Sequence, residues 1–348
     1  MSAPAVTVVM PAYEAAAFVG DAVRSVLAQT LHDFELLVAD DDSRDATVAT
    51  ANAAAGGDVR VRVLDVPHGG PAKARNAAIR EAKGAILAFL DADDAWEPDH
   101  LERLVAGLDA NPGHFVYSNA TLFGDGPKTP AHDGVYVPAT SFRDLYLESH
   151  VPSPGAIAVR TEDVRSVGGF LEDEAYVGSE DRALYLSLCT RGVTPVYLPH
   201  RGVRYRVHPA QLSRRPVKQL RAKLAVRERF RDAVDAGTGE RLVPSAAADA
   251  LLGSVAFDLA YALLPSDLEA ADAMLVRAAA FDPTIDADGR RRRFAAKRRR
   301  VRWFSLPDAD RLPPLSRAGR LLTATWALAV IVVYIVLRFE ARRRGGGS

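Results

Sequence analysis

The sequence predicts an α/β fold with a mainly parallel sheet flanked by helices, followed by a helical C-terminal region and a hydrophobic helix. Apolar, Val-rich runs alternate with stretches of helical spacing in the first quarter of the chain. This alternation of strand and helix is typical of parallel α/β sheets. Two of the apolar runs end in groups of aspartates, and residues 321–337 carry no charge.

The first strand is predicted in AVTVVMPAY, and apolar residues at helical spacing follow in AAAFVGDAVRSVLAQT. A second strand is predicted in FELLVAD, and the next helix, SRDATVATANAAA, contains Ser43 as its expected N-cap. The third strand alternates in VRVRVLDV. A turn and helix follow in GGPAKARNAAIREAKG and end at Gly84, and AILAFL is the fourth strand.

Beyond His114 the strand signals are shorter, in FVYSNATLF, GAIAVR, TPVYLP and VRYRVH, and a helix is predicted in SEDRALYLSLCTRG. From Ser213 to about Ala280 the chain is rich in Ala and Leu at helical spacing. We therefore expect four parts: an α/β domain over 1–215, a helical region over 216–289, a basic segment over 290–304 and a hydrophobic helix over 321–337.

The composition is that of a folded globular protein, because 48% of the 348 residues are hydrophobic and 25% are charged. The 44 basic and 44 acidic residues give a formal net charge of zero. Cys189 is the single cysteine, which excludes an intrachain disulfide, and its apolar neighbours predict a small buried side chain. Trp96 is likewise predicted in the core. No signal peptide is expected, since the first residues lack its charged lead and cleavage site.

The uncharged run over 321–337 spans roughly 26 Å at about 1.5 Å per residue, slightly less than a ~30 Å hydrocarbon core. Arg317, Arg320 and Arg338 flank it, and their long side chains can extend its effective length. A buried core helix is the alternative. The missing amphipathic face and the bracketing arginines favour a membrane segment.

Nine basic residues and no acidic one lie between Arg290 and Trp303. Basic tracts with interleaved aromatics bind nucleic acid or anionic lipid, and a solvated charged loop is the third alternative. The hydrophobic run just downstream favours lipid. We therefore expect the membrane, and no nucleic acid, as a partner of the C-terminus.

Asp40, Asp41 and Asp42 follow the second strand, and 91–94 contains three aspartates after the fourth. Right-handed crossovers bring the carboxyl ends of parallel strands to one edge, where open α/β sheets bind ligands. Paired carboxylates on a rigid strand suit Mg²⁺ or Mn²⁺, which leave coordination positions for water and phosphate. A solvated acidic turn is the alternative.

Two other classes of nucleotide-binding protein are disfavoured by missing motifs. The phosphate-binding loop GxxxxGK[ST] is absent, and no GxGxxG follows the first strand, which argues against P-loop and dinucleotide-binding proteins.

Four passages together resemble family-2 glycosyltransferases of the GT-A fold. They occur in family order between Val6 and Arg214. The passages are VVMPAYEAAAFVGDAVRSVLAQTLHDFELLVADDDSRDAT, GGPAKARNAAIREAKGAILAFLDADDAWEPDHL, VGSEDRALYLSLCTRG and YRVHPAQLSR. The second contains the aspartate pair DxD of the family, and the third contains its ED pair.

The resemblance implies a nucleotide-binding set, a metal-binding pair and a catalytic pair. The nucleotide-sugar-binding set is Pro11, Ala12, Tyr13, Glu14, Asp41, Arg75 and Asp91. The pair Asp91 and Asp93 is implied to meet ribose and metal, with Asp93 and His208 as the ligands of Mg²⁺ or Mn²⁺. Asp181 is implied to be the base that accepts a proton, beside Glu180.

Some residues leave alternatives open or depart from the family pattern. Glu180 and Asp181 have a simpler interpretation as acids that favour a helix N-terminus, and His208 has one as a surface side chain. Glu14 stands where the family usually has Asn, and Asp42 where it usually has Gly. Both departures affect the nucleoside rim, so the base is left open.

The resemblance implies a metal-dependent, inverting transfer of sugar from a nucleotide-sugar donor to an acceptor hydroxyl. We expect the acceptor to be a lipid-linked, envelope or surface-polysaccharide glycan. The expected location is the cytoplasmic face of the cell membrane, through the C-terminal hydrophobic segment. The alternative is a catalytically silent nucleotide-sugar-binding or scaffold protein at the membrane.

Overall fold

In the computed structural model, residues 3–124, 138–147, 151–208, 211, 215–283, 294, 295, 297 and 298 are described. Within them the strands are β1 (Val6–Ala12), β2 (Phe34–Asp40), β3 (Val61–Asp65), β4 (Ile86–Phe89), β5 (Ala95–Trp96), β6 (His114–Gly124), β7 (Ile157–Arg160) and β8 (Thr194–Val207). The helices are α1 (Val19–Leu27), α2 (Thr47–Ala55), α3 (Pro71–Glu81), α4 (His100–Ala110), α5 (Phe142–Leu147), α6 (Thr161–Ser166), α7 (Glu180–Cys189), α8 (Pro216–Phe230), α9 (Ser245–Leu263) and α10 (Leu268–Phe281).

The first four strands form the parallel half of the sheet. The strand order is β3-β2-β1-β4-β7-β6-β8-β5. Ala12 at the end of β1 pairs with Asp40 at the end of β2, and Val9 pairs with Phe89 at the end of β4. The carboxyl ends of these strands therefore share one edge, which confirms that the two groups of aspartates lie at the same side of the sheet.

The second half of the sheet is mixed. β7 runs antiparallel to β4, with Ala88 opposite Ala158, because the chain re-enters the sheet at its carboxyl edge through a 3₁₀ turn at Pro154–Ala156. β6 is antiparallel to β7 and parallel to β8, and β5 is antiparallel to β8. The expectation of a mainly parallel sheet thus holds for the half formed by β1 to β4, where crossover helices connect β1, β2, β3 and β4.

Alternate residues of β1 supply apolar side chains to opposite faces of the sheet. Val9 belongs to the cluster that includes residues of α3 and α7, while Val8 and Met10 belong to the cluster with α1 and α4. Each such buried side chain contributes about 1.5–3 kcal/mol to folding. Trp96 and Cys189 are buried, as predicted, and the indole N–H of Trp96 donates to the Gly155 carbonyl at 2.8 Å.

The helical region predicted after residue 215 contains α8, α9 and α10. α8 packs against α7 and α9, and α9 packs against α10. Among the described helices, α9 alone is long and apolar enough to cross a membrane, but half of its most apolar window is buried and a core helix passes the same test. The hydrophobic run predicted over 321–337 and most of the basic segment over 290–304 lie outside the described residues.

Candidate active site

Arg75 joins two acidic elements of the site. It lies on α3, is only 3% exposed, and donates from Nη2 to Asp91 Oδ1 at 2.6 Å and from Nη1 to Glu180 Oε1 at 3.0 Å. Burial raises the pKa of Asp91, and the Arg75 charge opposes that effect. Arg75 is therefore the positive group that offsets the carboxylates at the end of β4.

The other two aspartates after β4 have different partners. Asp93 Oδ2 lies 3.0 Å from His208 Nε2, so the structure brings these two predicted metal ligands together. Asp94 is buried, and its Oδ1 accepts the backbone N–H of Arg206 at 2.8 Å. Burial and then the charge of Asp93 raise the pKa of Asp94 well above its ordinary value. The three carboxylates therefore differ in their partners, although they lie within four residues of one another in the sequence.

Asp181 is partly buried in the first turn of α7. Its Oδ1 accepts the backbone N–H of Arg182 at 2.7 Å. Burial, followed by the charge of Glu180, raises the pKa of Asp181 from 3.8 to about 6, so burial outweighs the opposing effect of the backbone hydrogen bond. A carboxylate with this pKa is ionised at neutral pH and is a stronger proton acceptor than an ordinary aspartate.

Glu180 is held from two sides. One oxygen accepts from Arg75, and the other accepts the Gly178 N–H at 2.6 Å. Among the described residues, Asp181 has one such hydrogen bond, from Arg182. Of the predicted catalytic pair, Asp181 is therefore the one with an oxygen available for a substrate proton.

The predicted charged residues around α3, β4 and α7 line one cavity of about 310 Å³. Its lining includes Arg75, Asp91, Asp93, Glu180 and Asp181. The lining also includes residues that were not predicted from the sequence. Among them are Arg182, Tyr185, Gln219 and Lys223.

The predicted nucleoside residues lie at the same sheet edge but do not line this cavity. Pro11 and Ala12 are buried at the end of β1, and Tyr13 is 52% exposed. The Tyr13 ring lies 4.8 Å from the ring of His68, centroid to centroid. The site therefore has a second part, an exposed aromatic pair beside the carboxyl ends of β1 and β2.

Asp41 holds the turn that carries His68. Its carboxylate accepts the backbone N–H groups of Gly69 and Gly70 at 2.8 and 2.9 Å, and Oδ2 lies 3.1 Å from His68 Nδ1. Both oxygens thus hold the turn that precedes α3. Through this turn Asp41 positions the ring of His68 against Tyr13.

The two departures from the family pattern occupy left-handed backbone positions. Glu14 has φ of 48° and Asp42 has φ of 62°, in the region where Asn and Gly fit with least strain. The Glu14 N–H donates to Ser43 Oγ at 3.0 Å, and the Glu14 carboxylate accepts the Arg44 N–H at 2.8 Å.

The prediction that Ser43 caps the second helix is wrong, because α2 begins only at Thr47. The Ser43 hydroxyl instead accepts the Glu14 N–H and holds that turn.

Asp93 and His208 place a carboxylate oxygen and an imidazole nitrogen 3.0 Å apart, within hydrogen-bonding distance of each other. No cluster of three or more His, Cys, Asp or Glu suited to a metal was found within the part of the chain that is described. Two protein ligands suit a divalent cation whose shell is completed by substrate phosphate oxygens and water. The residues present therefore fit Mg²⁺ or Mn²⁺.

The missed residues have weak sequence signals. His68 directly precedes the Gly69–Gly70 turn after a predicted strand, and only its position at a strand end could have indicated a role. Gln219 and Lys223 are spaced by four, so they share a helix face. They fall beyond the boundary predicted near residue 215, and their place in the cavity depends on how α8 packs against α7.

Comparison with known proteins identifies the family. The family described as Glycosyl transferase family 2 matches residues 7–167. The putative teichuronic acid biosynthesis glycosyltransferase TuaG of Bacillus subtilis is 31% identical over 193 residues, which cover 55% of this chain and 74% of TuaG. The chain belongs to glycosyl transferase family 2 and is a glycosyltransferase, which confirms the predicted family and enzyme class.

Other relatives match over shorter stretches. Chondroitin synthase of Pasteurella multocida is 41% identical over 99 residues, 28% of this chain. The match spans only 10% of that synthase.

Two solved structures show the GT-A fold predicted from the sequence. One is S. aureus TarS 1–349 in complex with UDP-GlcNAc, with a TM-score of 0.60 and 16% identity, covering 86% of this chain and 90% of TarS 1–349. The other is the mannosyltransferase PcManGT from Pyrobaculum calidifontis in complex with GDP-Man and Mn²⁺, with a TM-score of 0.56 and 20% identity, covering 87% and 88%.

Proposed function

We propose that this glycosyltransferase moves a sugar from a nucleotide-sugar donor to a hydroxyl of a glycan acceptor, with inversion at the anomeric carbon. The observation that carries the proposal is that Asp181, with its raised pKa, and Asp93, paired with His208, line one cavity. A proton acceptor and a phosphate-side metal site are the two functions that this reaction needs.

In the proposed reaction, the acceptor oxygen attacks the anomeric carbon while the bond to the donor diphosphate breaks. Asp181 takes the proton of the acceptor hydroxyl as the new bond forms, and this direct displacement inverts the anomeric centre. Glu180 positions the start of α7 through Arg75 and the Gly178 N–H. Arg75 in turn holds Asp91 toward the donor.

Asp93 and His208 would hold Mg²⁺ or Mn²⁺, which would neutralise charge on the leaving diphosphate. The neighbour PcManGT, solved with GDP-Man and Mn²⁺, supports this cofactor. For the nucleoside we propose the exposed Tyr13–His68 pair as the stacking surface, with Pro11, Ala12, Glu14 and Asp41 forming its frame. TarS is solved with UDP-GlcNAc and PcManGT with GDP-Man, so both bases must be tested.

The acceptor class and cellular location are also proposals. TuaG is described as acting in teichuronic acid biosynthesis, and another relative, WfgD of Escherichia coli, as acting on a diphosphoundecaprenol-linked sugar. These relatives support a lipid-linked, envelope or surface-polysaccharide acceptor. We propose a catalytic domain over 1–215, a helical region over 216–289 and attachment to the cytoplasmic face of the membrane through 290–304 and 321–337.

The test begins with the full chain and a panel of UDP- and GDP-sugars, with Mn²⁺ or with EDTA. A donor at about 100 times its dissociation constant stabilises the fold by about 2.7 kcal/mol, which thermal unfolding detects. The identified donor is then incubated with acceptor glycans, and NMR of the product reports the anomeric configuration. A product with retained anomeric configuration would contradict inversion. A transfer rate that EDTA does not change would contradict metal dependence. Donor binding without transfer to any acceptor would favour a catalytically silent binding protein.

A further inference from the structure

Four side chains that line the cavity are hydrogen-bond donors contributed by α7 and α8. We call Arg182, Tyr185, Gln219 and Lys223 the basic end of the cavity. Arg182 is only 7% exposed, and its Nη1 has no hydrogen-bond partner among the described residues. The hydroxyl of Tyr185, one turn further along α7, is buried and also lacks a partner there.

The basic end also has an excess of positive charge. Arg227 is buried near Arg182 and Lys223, and its Nε has no partner among the described residues. Burial and then the charge of Arg182 lower the pKa of both Lys223 and Arg227, the latter to about 9. Asp181 and Asp258 act in the opposite sense on Lys223. No ion pair joins any of the three cations to a carboxylate in the described part of the chain.

Buried donors without partners and neighbouring like charges both destabilise a fold. Such an arrangement is explained if an anion binds there during function. A guanidinium, an ammonium group, an amide and a phenol can surround an oxyanion with several oxygen atoms, as a phosphate has. The donor diphosphate is assigned to the side of Asp93 and His208. Arg182 directly follows Asp181 on α7, and the Asp181 charge acts on Tyr185 and Lys223, so the basic end lies on the acceptor side that Asp181 defines.

We propose that the basic end is a subsite for a phosphate group of the acceptor, held beside the hydroxyl that Asp181 deprotonates. The inference rests on the proposed function, because Asp181 defines the acceptor side. The phosphate could belong to the sugar phosphate of a lipid-linked saccharide or to a phosphodiester in a polymer. The shared chemistry is the phosphate, and the probes below separate the two sources.

The experiment is calorimetry on the full chain in EDTA, with glucose 1-phosphate, glycerophosphoglycerol, glucuronate and methyl glucoside as probes. At least one of the two phosphate probes should bind, and the tighter one identifies the monoester or the diester source. Methyl glucoside should not bind. If glucuronate bound as tightly as the tighter phosphate probe, the assignment to phosphate would be wrong. Absence of binding by both phosphates would overturn the subsite.

Lys223→Gln should weaken phosphate binding at least tenfold, and Lys218→Gln is the matched control. Lys218 is a partly buried lysine on the same helix that lines a different groove. An equal loss in both variants would show general charge attraction and refute the subsite. Arg182→Gln is the second variant and should give a similar loss. Without phosphate, Lys223→Gln should unfold at the parental temperature or above it, because it relieves repulsion.

Asp93→Ala should keep phosphate binding in EDTA, which separates this site from the donor phosphate site. Donor binding with Mn²⁺ is measured on the same preparations. A parent chain that binds a nucleotide-sugar but neither phosphate probe refutes only the subsite. A chain that binds phosphate but no nucleotide-sugar overturns the proposed function, and with it the assignment of this phosphate to an acceptor.

Discussion

Replacement of Asp181 by Asn should abolish most of the transfer activity and increase the stability of the fold at neutral pH. Asn keeps the shape of the side chain and can accept the Arg182 N–H, but it cannot take a proton. We expect the transfer rate to fall by roughly 10²–10⁴, the usual contribution of a positioned general base. Donor affinity should stay near the parental value, since the lost interaction is made in the transition state.

The stability gain follows from the pKa of Asp181. This pKa is 3.8 in an unfolded chain and about 6 in the folded protein, so the folded protein binds the proton more tightly. Stability is therefore lost as the pH rises from about 4 to about 6, and the loss stays constant above that range. A shift of this size corresponds to about 3 kcal/mol. Because Asp181 lines an open cavity, solvent screening should reduce the gain in the Asn variant to about half.

The assay is chemical denaturation of the parent and Asp181→Asn from pH 4 to pH 8, beside the transfer assay. The variant should be more stable at pH 8, and the difference should vanish near pH 4. Glu180→Gln is the control. It should lose about 3 kcal/mol, because Arg75 is buried and would keep only Asp91 as a charged partner. A parental transfer rate, or a stability gain that does not depend on pH, would refute the reasoning for Asp181.

Three further predictions concern the metal, the backbone and the membrane. Asp93→Ala should fold normally and lose Mn²⁺-dependent donor binding in calorimetry; unchanged affinity would contradict the metal assignment. Asp42→Gly should raise the free energy of unfolding by about 0.5–1 kcal/mol, because φ is 62° and the side chain is exposed. Asp42→Ala keeps Cβ and should show no gain. An equal gain in both variants would refute the claim that the backbone at Asp42 is strained. The full chain should sediment with membranes, a chain ending near Gly289 should be largely soluble, and deletion of 321–337 should leave salt-sensitive attachment; full-length protein found wholly in the soluble fraction at low salt would refute this.

The acidic half of the site could be predicted from sequence because it depends on strand order alone. Asp91 and Asp93 follow a buried strand, and the parallel arrangement fixes the edge at which they lie. The family resemblance then supplied Arg75 and Asp181, which are distant in sequence. The structure adds the contact that explains both, since Arg75 bridges Asp91 and Glu180.

The basic end of the cavity could not be predicted from the sequence, and the reason is physical. Gln219 and Lys223 reach the cavity only because α8 packs against α7, and that packing depends on apolar side chains from several separate elements. The antiparallel direction of β7 has a similar origin. Its four residues have no periodic signal of direction, and the turn before it decides where the strand enters the sheet.

The charges of the cavity explain why so many carboxylates occur together. Arg75 forms ion pairs with both Asp91 and Glu180 and so fixes the positions of these two carboxylates. Asp93 and Asp181 stay outside this buried network. Asp93 contacts His208, as the proposed metal site requires. Asp181 has a pKa of about 6, which suits the proposed proton acceptor. If Arg75 were replaced by Lys, a single ammonium could not span both carboxylates in the same geometry. The link through Arg75 between the end of β4 and the start of α7 would then be lost.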